Sequence, residues 1–142
     1  MVNNQLRKEC WVPPPPLPLP EGELARRIVG PRYDLEEVKR LATASNIRLM
    51  TDKVDDDLAE LAWDVDDVAS LLQSLTEDDY HASEWAQVSN RMVVDADAYV
   101  APYDEGCQRR RTRAPRYYVK FGFANNSFLL LLVSCHEERG NR

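Results

Sequence analysis

RYYVKFGFANNSFLLLLVSC, running from Arg116 to Cys135, is the stretch that decides the fold. Aromatic and β-branched or long aliphatic residues dominate Arg116 to Phe123 and Phe128 to Cys135, so both segments read as strands. Between them lies Asn125-Asn126, a turn signal because asparagine tolerates the left-handed backbone conformation, and the strands it joins are antiparallel neighbours. In the first strand Tyr117, Val119, Phe121 and Phe123 alternate with Tyr118, Lys120 and Gly122. Successive strand side chains point to opposite faces, so one side is apolar and the other carries a phenol and an amine.

Upstream of this hairpin, Met92 to Tyr103 (MVVDADAYVAPY) reads as a further strand. Before Asp79 the apolar period is helical instead. Asp34 and Glu37 have capping-box spacing, and Leu35, Val38, Leu41 and Ala42 recur on one face, which predicts a helix from Leu35 to about Ser45. Thr51 or Asp52 caps a short second helix with the stripe Val54, Leu58 and Leu61. Asp64 opens a third, in which Val65, Val68, Leu71, Leu72 and Leu75 predict the best-buried helix face. Helices first and an antiparallel sheet afterwards define an α+β domain, with N-terminal helices packed on one face of a C-terminal sheet.

Residues 1–30 form an N-terminal arm and 31–142 the folded domain. The arm contains PPPPLPLP, Pro13 to Pro20, which lacks backbone donors and favours an extended conformation, as a spacer, an arm packed on its own domain, or a ligand for a proline-binding groove. The 142 residues suit a single core. Neither a membrane-spanning apolar run nor a signal-peptide centre is visible, so a cytoplasmic protein with no membrane association is expected. Cys10, Cys107 and Cys135 are odd in number and far apart, which predicts reduced thiols, and Cys135 reads as core.

A net charge of −6 argues against nucleic-acid binding until its distribution is considered. Acids crowd Asp52 to Asp79, whereas Arg109, Arg110, Arg111, Arg113, Arg116 and Lys120 gather near the C-terminal hairpin, which permits an acidic back and a basic working face. The aspartates at the helix starts are explained as caps rather than metal ligands, so neither a metal nor another cofactor is expected. No phosphate-cradling glycine loop, G-x-S-x-G or H-E-x-x-H competes as an enzyme motif.

The order YDLEEVKRL, LLQSLTEDDYHAS, DADAYVAP, YYVKF and FLLLLVSCHEE resembles the MqsR family of type II toxin–antitoxin mRNA interferase toxins, over about Tyr33 to Glu138. The arm and the arginine-rich stretch between Asp104 and Pro115 have no counterpart in the compact family pattern. The resemblance implies a RelE-like fold, endoribonuclease activity on single-stranded mRNA, and a cognate antitoxin partner. It places the family tyrosine on Tyr118 and the lysine that follows it on Lys120. Two functional lysines of the family fall on His81 and His136, and Ala96 stands where the family has a glutamine.

Imidazole is the one side chain whose reference pKa, about 6.5, lies near neutrality, so replacing two lysines by histidines supports proton transfer. On this reading His81 and His136 supply general base and acid in either order, and Tyr118 donates a hydrogen bond or carries a proton. Lys120, Arg116, Arg113 and Arg111 are then the RNA phosphate ligands. The alternative is a noncatalytic protein-binding relative that uses the Pro-rich arm or the acidic helices. Hairpin register separates them in part. A three-residue turn with Asn126 left-handed puts His136 on the face of Tyr118, whereas a two-residue Asn-Asn turn without a bulge puts it with Tyr117.

Overall fold

The computed structural model describes residues 5–138. Its elements in chain order are α1 (Glu23–Arg26), β1 (Arg27–Ile28), α2 (Leu35–Leu41), β2 (Ile47–Leu49), α3 (Asp52–Leu61), α4 (Val65–Gln73), β3 (Tyr80–Gln87), β4 (Val93–Pro102), β5 (Arg116–Gly122) and β6 (Leu130–Glu137). The six strands form one sheet in the order β1-β3-β4-β5-β6-β2, antiparallel except for the β2–β6 pair. This is an α+β fold of the RelE-like kind.

The helices begin where their caps place them. Asp34 accepts from the Glu37 N–H, Thr51 from the Val54 N–H, and Asp64 from the Asp66 and Asp67 N–H groups, satisfying donors that the first helical turn leaves unpaired. The first predicted helix stops earlier than its apolar pattern suggests, at Leu41. A single 3-10 turn at Ala44–Asn46 then releases the chain into β2, whose isoleucine and leucine flank Arg48 at the sheet edge. Val38, Val54, Leu58, Val68, Leu71 and Leu72 bury against Tyr99, Val119, Phe121 and Leu132 to make the main core.

The sheet contains three strands that the hydrophobic pattern does not announce. β1 and β2 are only two and three residues long, below the length at which alternation can be read. β3 reads HASEWAQ after its first tyrosine; its buried positions include Ser83 and Glu84, which are paired rather than apolar.

The N-terminal segment is tied to this sheet by charge. Arg7 pairs with the buried Asp95, donates to the Phe123 carbonyl, and lies over the Tyr33 ring at 4.9 Å. Arg32 binds the same carboxylate at 3.0 Å, and Asp97 accepts from the Arg32 and Tyr33 N–H groups and the Ser83 hydroxyl. Leu6 and Leu19 are buried, while most of Pro13 to Pro20 remains exposed.

Candidate functional site

The sheet face turned away from α2, α3 and α4 holds a polar row at one end and an apolar cluster at the other. Ala86, Val94, Ala96, Leu131 and Val133 form the cluster, close to the β5–β6 connection. At the far end, Tyr118 on β5 lies between Val100 on β4 and His136 on β6, its direct cross-strand partners. The His136 ring stacks on Tyr118 with centroids 5.1 Å apart and planes 15° apart. The His81 ring meets the same tyrosine edge-on at 6.1 Å and 72°.

Both histidines reach this row through irregular pairing. Tyr80 faces Tyr99 and Ala82 faces Ala98, so His81 is the extra residue of a β-bulge, and a bulge re-aims the side chain it carries. On β6, Lys120 faces Ser134 but Phe121 faces Leu132, which makes Val133 the extra residue. Ser127 donates to the Ala124 carbonyl at 3.1 Å across Asn125-Asn126, and Asn126 has φ 60°, but Gly122 faces Leu131, so this turn lies inside a longer connection that is neither the two-residue nor the three-residue form. Extended without interruption, the pairing next to it would set His136 opposite Tyr117; the Val133 bulge shifts the register by one and returns His136 to Tyr118.

His81 is exposed, and Tyr118 and His136 are half-buried. Burial raises the Tyr118 pKa and the carboxylates of Glu84 and Glu23 push it further, against the opposing effect of Arg27, so the hydroxyl stays protonated and acts as a donor. Lys120 shares the face but is committed: its Nζ donates to Glu84 at 2.8 Å, with both side chains largely buried. Cys135 is fully buried on the opposite face, and burial pushes its thiol up to about 12, the behaviour of a core residue rather than a nucleophile.

The two ends of the row differ in charge. Beside His136 a cavity is lined by Asp57, Glu60, Leu61 and Glu137. Beside His81 another is lined by Arg110, Thr112 and Arg116 together with Tyr80 and the acids Asp78, Asp79 and Glu138. Arg116 reaches this second cavity while pairing loosely with Glu138 at 3.4 Å. Arg111 pairs with Asp104 at 3.4 Å and, with Arg113, lines a separate cavity that contains neither histidine. Arg110, Thr112 and Glu84 thus belong to the neighbourhood of the row, although Arg110 was marked only as one of the arginine cluster and the other two not at all. The signal for Glu84 was its period-two spacing from Ala82 and Ala86; for Arg110 and Thr112 nothing local distinguishes them from their neighbours.

Among the described residues, no group of three or more His, Cys, Asp and Glu side chains is arranged to hold a metal ion, and no helix is long and apolar enough to cross a membrane.

Helices α2, α3 and α4 on one face of a mostly antiparallel sheet, with a His-Tyr-His row on the other, define a RelE-like protein. The family model described as motility quorum-sensing regulator, toxin of MqsA, matches residues 30–137. The chain belongs to this MqsR toxin family, and is accordingly a toxin of a toxin–antitoxin system with an antitoxin as partner. No curated protein matches it.

Proposed function

We propose that this toxin is an endoribonuclease that cuts single-stranded mRNA in the cytoplasm without a metal ion, using the RNA's own 2′-hydroxyl as nucleophile. The observation that carries the reading is the contact of both imidazoles with one phenol, with His81 exposed and Tyr118 and His136 half-buried. A phosphodiester seated over the Tyr118 hydroxyl has one imidazole on either side. One removes the 2′-hydroxyl proton as the oxygen attacks phosphorus; the other protonates the departing 5′ oxygen. The products are a 2′,3′-cyclic phosphate and a 5′-hydroxyl. Tyr118 donates to a non-bridging oxygen as charge develops in the phosphorane, and Arg116 approaches from the His81 side. Unstacked bases of a single strand fit a shallow face better than a duplex does.

A noncatalytic protein-binding relative is the second reading, favoured by the Lys120–Glu84 pair and by Ala96 in place of the family glutamine. Cleavage of a mixed-sequence single-stranded RNA in EDTA separates the two. The wild-type chain should give a bell-shaped pH dependence of kcat/KM, and His81→Gln and His136→Gln should each lose one limb and about a hundredfold or more in rate. Undiminished cutting by both variants removes the proposed site; no cutting by the wild type favours the binding protein.

A further inference from the structure

The arginine-rich stretch is an ordered hairpin rather than a loose charged loop. Asp104 and Arg109 exchange backbone hydrogen bonds at 2.8 and 3.2 Å, Tyr103 donates to the Pro115 carbonyl, and the Asp104 carboxylate accepts from the Gly106 and Cys107 N–H groups. Just past Arg109 the chain is fastened beside the histidine row. Arg110 donates through both terminal nitrogens to Asp79 at 2.5 and 2.9 Å, and Asp79 also accepts from the Thr76 N–H at 2.8 Å. Asp79 precedes His81 by two residues, so the clamp fixes the loop at the entrance to the strand that carries this histidine.

The result is a cavity of about 400 Å³ whose lining includes Arg110, Thr112, Arg116, His81, Val100 and Pro102. Of its acids, Asp79 is covered by Arg110, Asp78 is exposed, and Glu138 stands against Arg116. A guanidinium held along its terminal edge by a carboxylate keeps its Nε–H free and gives up little further rotamer freedom on binding an anion.

We propose that Arg110 and Arg116, with the Thr112 hydroxyl, bind the phosphodiester of the nucleotide next to the cut on the His81 side, with its sugar over Val100 and Pro102. Asp79 is the positioning residue for Arg110. Arg111 and Arg113 face a different cavity and play no part. This subsite rests on the ribonuclease reading.

The test is equilibrium binding of the full chain to a mixed-sequence, single-stranded 2′-O-methyl oligoribonucleotide, which cannot be cut, over a range of salt concentrations. Arg110→Gln should weaken binding about tenfold and reduce the slope of log K against log salt by about 0.7, the value for one lost contact to a single strand. Arg110→Lys should keep the slope while recovering only part of the affinity, because an ammonium lacks the fork. Arg111→Gln and Arg113→Gln should stay within about twofold of wild type. If Arg110 only ties down the loop, Asp79→Asn and Arg110→Gln will weaken binding alike and both leave the slope unchanged, which overturns the proposal. Failure of the wild type to bind the oligonucleotide sinks the ribonuclease reading itself, whereas wild-type binding with an unaltered slope in Arg110→Gln sinks the subsite alone.

Discussion

At the scale of single residues, Tyr118 is the pivot of the row because it offers a ring to two imidazoles and keeps its proton. Tyr118→Phe preserves the stack with His136 and removes only the donor. We expect kcat for RNA cleavage to fall on the order of a hundredfold, the usual cost of one transition-state donor, with the melting temperature little changed. Equal loss of thermal stability and activity would mean that the hydroxyl is structural. Lys120 and Glu84 illustrate the opposite case. A lysine in a predicted phosphate-binding position is taken up by a carboxylate two strands away, and the pair is so covered that separating it strands one charge. The hydrophobic pattern of one strand holds no information about a partner on another, so this was not legible from the sequence. The alternation that put Tyr118 and Lys120 on a common face was.

At the scale of elements, the histidine row depends on how strands are edged and anchored. β2 covers β6 only along Leu130–Leu132; past that point α3 takes over, with Asp57 accepting from the Cys135 N–H at 3.2 Å, so the edge beneath His136 is not left open. On the other side β1 is a two-residue strand held against β3 by the approach of Gly30. A Cβ at Gly30 would stand 1.8 Å from the Ser83 Oγ and 2.7 Å from the Ser83 Cβ, and the Ser83 hydroxyl is itself bonded to Asp97. Gly30→Ala should therefore push β1 away from β3 and destabilise the domain by about 1–3 kcal/mol, read as a lower denaturation midpoint with an unchanged m-value. A midpoint equal to wild type would show that the chain before α2 is free to shift. Helix starts at Asp34, Thr51 and Asp64 were readable because a cap is a local event within four residues. β1, β2 and β3 were not, since two are too short to show a period and the third fills its inward positions with paired polar groups.

Across the whole molecule, a net charge of −6 coexists with a cavity that holds two arginines, Arg110 and Arg116, each set against an acid, because acids crowd the helix starts while a cluster of arginines lies between β4 and β5. The same arrangement sets the response to acid. Burial alone would raise the pKa of Asp79, but its hydrogen bonds from Arg110 and Thr76 outweigh this and hold it below its ordinary value of 3.8. A carboxylate whose folded pKa is depressed stabilises the fold fully above the ordinary value and loses that contribution as pH falls through the folded value. Asp97 has the opposite sign: burial raises its pKa despite three donors, the Ser83 hydroxyl and the Arg32 and Tyr33 N–H groups, so its protonation costs the folded state less. Asp79→Asn should consequently have a lower melting temperature at neutral pH and a shallower decline from about pH 5 downward, measured by thermal scans at stepped pH. A variant that declines as steeply as wild type would assign acid sensitivity to other groups.

The sequence by itself determined helices α2, α3 and α4 with their caps, strands β4, β5 and β6, the burial of Cys135, and the strand on which Tyr118 and Lys120 share a face. It also carried the family resemblance that the match over residues 30–137 upholds. Only the tertiary structure decided that His136 stands beside Tyr118, that His81 comes from a strand, and that Arg110 rather than a freer arginine flanks them. The reason is the two-residue period of a strand: one added residue reverses every face beyond it, and whether Val133 or His81 is that residue depends on pairing with strands whose count no local pattern records.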